Sequence, residues 1–164
     1  MPAEEIVSAA AQQGVTFRLG DARFAGDVLN VERVLRYARP TPLPNLPEWI
    51  DGVIDHAGKV VPVVDLRARF GLERREPRPE SRIIIFSVGE DHIGAIVDAV
   101  LEVANISADR VSAPPKVFRG LKAEYLRGLV RQDDGLVIFL DIPHLLSAGE
   151  RLALAKAAKT ANDG

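Results

Sequence analysis

The chain has 164 residues, of which 47% are apolar and 27% charged, with a formal net charge of -2 and no cysteine. This composition is typical of a soluble globular protein, and the length allows a stable core without covalent cross-links. The lack of cysteine excludes disulfides and thiolate chemistry, and the near balance of acids and bases disfavours a nucleic-acid-binding protein.

The N-terminus predicts a cytoplasmic protein. Glu4 and Glu5 stand where a secretory signal peptide needs basic residues. The longest apolar runs have only five to seven residues, far fewer than a membrane-spanning helix requires.

The first half is predicted to form hairpins. Residues 16–19 alternate between polar and apolar, Gly20 and Asp21 mark a turn, and residues 23–28 form the returning strand. Residues 29–35 fit either one helical turn or a strand with a bulge.

A proline-rich loop separates these elements from a second hairpin. Four prolines within residues 39–47 exclude a helix or a central strand there. Residues 49–54 and 59–64 are predicted to pair around Gly58.

The second half repeats this order. Residues 82–88 and 92–97 are predicted to form one strand pair, and residues 126–131 and 136–140 another, with a strong hairpin turn at residues 133–135. Short strands of this kind predict two small all-β units, each closed into a barrel that removes exposed edges.

Charge and capping patterns describe the remaining segments. Residues 67–82 contain six arginines and three glutamates, which predicts a solvated connector, with an anion-binding patch as the alternative.

Ser147 and Glu150 have the spacing of a capping box and predict a C-terminal helix over residues 148–160 that docks on one barrel.

An internal duplication underlies this repetition. Phe17, Gly20 and three valines recur in the second half with unchanged spacing, and so does a segment that begins with an aromatic residue and ends with an aspartate. The equivalent residues are Phe17 and Phe86, Gly20 and Gly89, Val28 and Val97, Val31 and Val100, Val34 and Val103, Trp49 and Tyr125, and Asp65 and Asp141. We therefore predict a first barrel over residues 14–80, a second over residues 81–147, and a helix and tail over residues 148–164. An approximate twofold axis should relate the two barrels.

No residue pattern favours catalysis. Asp65 and Asp141 could form a dyad of the aspartic-protease type, but neither is followed by the Thr/Ser-Gly that such a site needs, so helix capping is favoured. His56, His92 and His144 are isolated and lack the spacing of metal ligands. The residues thus favour a binding module without catalytic residues, cofactor or metal.

Six segments resemble the CheW-like family of chemotaxis adaptors. The likeness extends over about residues 14–147 and rests on residues 17–20, 28–31, 46–53, 60–67, 94–100 and 124–129. It implies a fold of two five-stranded SH3-like barrels and no enzymatic activity. It also implies a cytoplasmic protein, recruited to membrane receptor arrays, that couples the cytoplasmic tip of a chemoreceptor to the regulatory domain of a CheA-type histidine kinase.

The resemblance also implies a partner-binding surface, and the chain departs from the family within it. This surface comprises Val31, Arg33, Leu43, Leu46, Gly52, Asp55 and Ala57. Arg33 stands where the family often has an acid, and Ala57 where it usually has an arginine. We expect these two positions to lie close together and the partner contacts to be rewired. Leu43 and Leu46 either anchor the kinase or plug the end of a barrel.

Two other function classes remain open on the sequence. One is a regulatory domain of the same fold that stands alone and serves another signalling pathway. The other is an aspartic-type enzyme, which the residues after Asp65 and Asp141 disfavour.

Overall fold

The computed structural model describes residues 12–113, 117–118, 121–147, 150, 154 and 156, and strands dominate these segments. The strands are β1 (Gln13–Leu19), β2 (Ala22–Asp27), β3 (Val31–Arg36), β4 (Ile50–His56), β5 (Lys59–Asp65), β6 (Arg82–Val88), β7 (Asp91–Val97), β8 (Ala99–Asn105), β9 (Val111–Ser112), β10 (Val117–Phe118), β11 (Leu121–Lys122), β12 (Leu126–Gln132) and β13 (Gly135–Leu140). One short α-helix, α1 (Leu66–Arg69), follows β5. Single 3-10 turns lie at Val28–Asn30, Ala108–Arg110, Ala123–Tyr125 and Ile142–His144.

The four predicted hairpins are confirmed. β1 pairs with β2, β4 with β5, β6 with β7, and β12 with β13, all antiparallel. Gly20 and Gly89 both have φ of 61°, a backbone conformation that glycine adopts without steric cost. Both alternatives for residues 29–35 are realised, because the 3-10 turn Val28–Asn30 leads into β3, which carries a bulge between Val31 and Arg33.

The strands form two main sheets. Sheet 1 has the order β8-β1-β2-β13-β12-β9, and sheet 2 has the order β3-β6-β7-β5-β4. Within each sheet one parallel contact joins the two hairpins, β2 with β13 in sheet 1 and β7 with β5 in sheet 2. β10 and β11 form a separate two-stranded ribbon.

The predicted division into consecutive barrels over residues 14–80 and 81–147 is wrong, because the two halves exchange strands. Sheet 1 combines the first hairpin of the first half with β8, β12 and β13 of the second half. Sheet 2 combines the hairpin β6–β7 of the second half with β3, β4 and β5 of the first. Turn residues predict local hairpins well, but they carry no information about which distant hairpin completes a sheet.

The strand registers confirm the duplication. Phe17 on β1 lies opposite Val100 on β8, and their equivalents Phe86 and Val31 lie opposite each other in sheet 2. The parallel contacts match as well. Ala25 lies opposite Phe139 in sheet 1, and their equivalents Gly94 and Val63 lie opposite each other in sheet 2. Phe17 and Phe86 therefore occupy equivalent strands, as predicted.

A shared core lies between the sheets. Its largest cluster contains Phe17 and Phe24 of sheet 1 together with Phe86 of sheet 2. A row of aromatic rings runs through it, with centroid distances of 5.8 Å from Phe17 to Phe24, 5.7 Å from Phe24 to Phe70 and 5.8 Å from Phe70 to Tyr125. Because both halves contribute to this cluster, we expect neither half to bury its apolar surface alone.

The beginning of the arginine-rich connector is part of the fold, contrary to the prediction of a solvated segment. Arg67 is buried and its guanidinium bonds both carboxylate oxygens of Asp98, with a distance of 3.0 Å from Nε to Oδ1. Asp98 also accepts a 2.7 Å hydrogen bond from the Gly20 amide. This network ties α1 to the first hairpin. Residues 71–80, by contrast, are exposed as predicted.

The predicted capping box is confirmed. The Ser147 hydroxyl accepts from the Glu150 amide at 3.0 Å, and a Glu150 carboxylate oxygen accepts from the Ser147 amide at 2.8 Å. Glu150, Leu154 and Lys156 are helical, and the Leu154 side chain is buried in the main core. The other residues of the predicted helix lie outside the described residues.

The Asp98 network makes stability depend on pH. Burial alone would raise the pKa of Asp98, but hydrogen bonds from Arg67 and Gly20 outweigh it and hold the pKa below its ordinary value of 3.8. A carboxylate with a depressed pKa stabilises the folded state above the pKa of the unfolded chain, and this contribution is lost as the pH falls through the folded pKa. Asp98→Asn should therefore reduce stability at neutral pH and flatten its loss on acidification. Urea unfolding at a series of pH values checks this, and an unchanged pH slope in the variant would contradict it.

Candidate partner-binding surface

Strand β3 places Val31 and Arg33 at an edge of sheet 2. Val31 is half-buried against the core, whereas Arg33 is exposed. Between them Glu32 occupies the bulge, and its carboxylate lies 3.0 Å from Nε2 of His92. The sequence did not reveal this pair, because its two residues are far apart along the chain and belong to different hairpins.

The proline-rich loop is fastened to β4. The Thr41 amide donates to the Val53 carbonyl at 2.8 Å, and the Val53 amide donates to the Thr41 carbonyl at 2.9 Å. Leu43 and Leu46 are both half-buried. Leu46 packs against the main core, which favours the plugging role for that residue. The two leucines therefore differ, and Leu43 is the better candidate for an anchor.

Gly52 allows the loop to approach this closely. It is buried, has φ of 146°, and a Cβ there would overlap the Thr41 carbonyl group. The equivalent Gly128 in sheet 1 likewise allows a close backbone approach, since a Cβ added there would lie 2.7 Å from the Ser112 carbonyl oxygen of β9. Gly52 thus shapes the predicted surface through the backbone and has no side chain to offer a partner.

The β4–β5 turn presents Asp55 and Ala57. Both are exposed, and Ala57 and Gly58 have φ of 53° and 79°. Two consecutive positive φ values are those of a type I′ hairpin turn, in which alanine is strained. Strand pairing does not join this turn to β3, so the predicted proximity of Arg33 and Ala57 stays a prediction.

A charged cleft of about 610 Å³ adjoins the loop and the connector. Within it Arg74 bonds the Glu48 carbonyl and lies 3.1 Å from Asp51 and 3.6 Å from Asp65. Burial raises the pKa of Asp65, and the neighbouring charge of Asp51 adds to this effect. The connector therefore holds the base of the proline-rich loop, a contact that its arginine-rich composition did not predict.

The two equivalent aspartates differ in their contacts. Asp65 caps α1 as predicted, accepting from the amides of Arg67 at 2.9 Å and Ala68 at 3.3 Å. Asp141 precedes the 3-10 turn Ile142–His144, but its side chain makes no capping hydrogen bond. Instead its carboxylate lies 2.8 Å from Nδ1 of His144. Side-chain capping by Asp141 was therefore a wrong prediction. Asp65 caps the amides two and three residues on, but after Asp141 these positions are Pro143, which has no N–H, and His144, whose amide donates to the Asp141 main-chain carbonyl at 3.0 Å.

Within the part of the chain that the structure describes, no group of three histidine or acidic side chains could hold a metal ion. In the same segments, no helix is long and apolar enough to cross a membrane. Arg33, Asp55 and Ala57 are exposed and Leu43 is half-buried, and their joint role in partner binding stays a prediction.

Comparisons with known proteins agree with this description. A family model described as a CheW-like domain matches residues 13–150. The chain is 33% identical to a chemotaxis protein CheW of Treponema pallidum, over 87% of this chain and 86% of that protein. It is 34% identical to the protein FrzA of Myxococcus xanthus, over 88% and 91%.

A solved structure is also similar. The crystal structure of the scaffolding protein TtCheW from Thermoanaerobacter tengcongensis matches with a TM-score of 0.79 and 32% identity, over 87% of this chain and 92% of that chain. The predicted all-β fold with two SH3-like barrels is thereby confirmed. Sheet 1 departs from the expected five strands only by the short sixth strand β9.

A pair of glycine variants separates crowding from backbone strain on this surface. Gly52→Ala forces the loop away from β4, so it should lower the free energy of unfolding by at least about 2 kcal/mol. In Gly58→Ala the added Cβ meets no atom within 4 Å, and the only unfavourable effect is the positive φ of 79° that alanine must adopt. This variant should therefore lower the free energy of unfolding by about 1 kcal/mol. Urea unfolding measures both. Equal costs would contradict the close approach of Thr41 to Gly52.

Proposed function

Because the chain belongs to the CheW-like domain family, a family of chemotaxis scaffold and coupling proteins, we propose that it couples a chemoreceptor to a kinase. The receptor contributes its cytoplasmic tip, and the kinase is a CheA-type histidine kinase that contributes its regulatory domain. The adaptor acts by binding and not by catalysis. It is cytoplasmic in this proposal and is recruited to receptor arrays at the membrane.

The observation that supports this proposal is the match of the chain to the CheW-like domain over residues 13–150. We assign partner binding to three segments: β3 with the exposed Arg33, the proline-rich loop with the half-buried Leu43, and the β4–β5 hairpin with the exposed Asp55 and Ala57. The backbone beneath is held by the hydrogen bonds between Thr41 and Val53. A surface ordered before binding loses little conformational entropy when a partner docks, so more of the contact energy appears as affinity.

The charges of this surface support rewired partner contacts. Where the resemblance implies an acid and an arginine, this chain has Arg33 and Ala57, so a negative and a positive charge are replaced by a single positive one. A partner must then supply a complementary acid opposite Arg33. This change alters which receptor or kinase is recognised and leaves the fold intact, because Arg33 and Ala57 are both exposed.

Leucine variants test the apolar anchor. Leu43→Asp should reduce kinase binding by at least about tenfold, because a charge at the centre of an interface loses both contact area and solvation. Its melting temperature should stay near that of the wild type. Leu46→Asp should lower the melting temperature, since Leu46 packs against the core. Leu136→Asp is the matched control, because Leu136 is 44% exposed and lies on β13 of sheet 1.

The measurement is a pull-down with each purified variant, in which mass spectrometry identifies a CheA-type kinase and a receptor in the eluate. Loss of the kinase with Leu43→Asp but not with Leu136→Asp supports the proposal. Equal retention in these two variants would place kinase binding elsewhere.

A double-mutant cycle tests the rewired charges. Arg33→Glu combined with Ala57→Arg restores the charges that the resemblance implies, so the double variant should bind a conventional receptor tip better than either single variant. Ala57→Arg alone should be neutral or mildly harmful, because exposed charge pairs contribute only about 0–1 kcal/mol. Titration of all four proteins against one receptor fragment measures the coupling energy. Purely additive effects would show that Arg33 and Ala57 do not act as a pair.

A further inference from the structure

The two halves of the chain are joined by extensive non-covalent contacts. The first half contributes β1 to β5, and the second half contributes β6 to β13. Among these described strands, four pairings cross between the halves: β1 with β8, β2 with β13, β3 with β6, and β5 with β7. The main core is shared as well. Each half thus supplies strands to both sheets, as each subunit of a strand-exchanged dimer does.

The connector between the halves contributes little to these contacts. Residues 71–80 are exposed. Near its beginning Arg74 binds back to carboxylates of the first half. Near its end the Arg78 amide donates to the Ser81 hydroxyl at 2.9 Å. The peptide bond after Arg75 therefore lies between a segment held by the first half and a segment held at the start of the second.

Charged side chains also join the halves. Arg23 of the first half binds both carboxylate oxygens of Asp134 of the second half, at 2.8 Å and 2.9 Å. A carboxylate oxygen of Asp27 in the first half lies 3.2 Å from a guanidinium nitrogen of Arg127 in the second half. Three further contacts cross in the same way: Arg67 with Asp98, Arg69 with Glu150, and Glu32 with His92. Opposite charges thus accompany strand pairing between the halves.

These charges distinguish unlike halves from like halves. Because of the duplication, strand pairing alone would also allow two first halves, or two second halves, to combine. Arg127 is equivalent to Asp51, and Asp27 is equivalent to Ile96. Two first halves would therefore bring Asp27 against Asp51, a contact between like charges. Two second halves would bring Arg127 against Ile96 and leave the guanidinium without a carboxylate. Both combinations are disfavoured.

The buried pair of Arg67 and Asp98 leads to the same result. Their equivalents under the duplication are Pro143 and Leu29, and neither is charged. Two first halves would leave the buried Arg67 without its carboxylate, and two second halves would leave Asp98 without its guanidinium. An unpaired charge in such a place is strongly destabilising. The contact therefore forms only between a first half and a second half.

We propose that each half of this chain is the specific binding partner of the other. In this proposal a cut in the connector leaves the two halves bound as one folded body, and pairs of like halves are disfavoured by the charged contacts. The strand pairings provide the affinity, and the charges provide the specificity. The proposal goes beyond the coupling function and does not depend on it, since it concerns the purified chain without receptor or kinase.

A single cut in the folded, full chain tests the proposal. A recognition sequence for a specific protease is inserted between Arg75 and Glu76, and the purified protein is cut there. The cut protein should unfold reversibly, with a melting temperature that rises with protein concentration, because folding now joins two chains. The uncut protein should melt at a temperature that does not depend on concentration. Native mass spectrometry of the cut protein should show one first half bound to one second half.

A pair of arginine variants tests the specificity. Arg127→Asp gives the second half the acid that the first half has at the equivalent position, so it should weaken binding between the cut halves by at least about tenfold. Arg110→Asp is the matched control. Arg110 lies 3.3 Å from Asp133 of its own half, and both side chains are exposed. This variant should leave the dissociation constant of the cut protein nearly unchanged, because exposed charge pairs contribute little.

Three outcomes contradict the proposal. The first is separation of the wild-type halves after cutting at every concentration tested. The second is a mass spectrum in which pairs of like halves are as abundant as mixed pairs. The third is equal weakening by Arg127→Asp and Arg110→Asp, which would show that the charges between the halves do not select the partner.

Discussion

The contact on which the two-lobed structure depends is made by one guanidinium at the junction of the duplicated halves. Arg69 lies over the rings of Trp49 and Tyr125, at 4.3 Å and 5.3 Å from their centroids. These two aromatic residues are equivalent under the duplication. Arg69 also donates to the Leu145 carbonyl at 3.1 Å, and Leu145 is the equivalent of Arg69 itself. Residues that contact their own equivalents lie on or beside an approximate twofold axis, so Arg69 marks that axis.

The C-terminal segment is bound to this asymmetric contact through Glu150. The residue equivalent to Arg69 in the second copy is Leu145, which has no guanidinium, so the contact is asymmetric. Glu150 binds the Arg69 guanidinium through both carboxylate oxygens, at 3.0 Å and 2.8 Å. Burial alone would raise the pKa of Glu150, but hydrogen bonds from Ser147 and Arg69 lower it below its ordinary value. The charge of Arg69 is thus compensated by a residue outside the duplicated unit. Cation–π contacts with both rings hold the guanidinium in one orientation.

Local features of the fold were predictable from the sequence, and long-range pairings were not. Gly20 and Gly89 identified their turns because glycine is the residue that adopts a left-handed backbone conformation without steric cost. The equivalence of Phe17 and Phe86 followed from matched spacing. The exchange of strands between halves left no such signature, because it depends on which distant hairpin a strand meets. Arg67 and Arg69 were assigned to a solvated connector for a related reason. The composition of the segment shows that it is charged, but it does not show that folding brings Asp98 to Arg67 and Glu150 to Arg69.

Strand exchange also sets the order in which the chain can fold during synthesis. The first hairpin, β1–β2, leaves the ribosome before the other strands of its sheet, and its neighbours β8 and β13 follow much later. Sheet 1 therefore cannot assemble until translation has reached residue 140. Sheet 2 needs nothing beyond β7 and can form while the second half of sheet 1 is still being made. The nascent chain thus carries a hairpin with two open edges until β8 is made and with one open edge until β13 is made, a period in which unpaired strands are prone to aggregation.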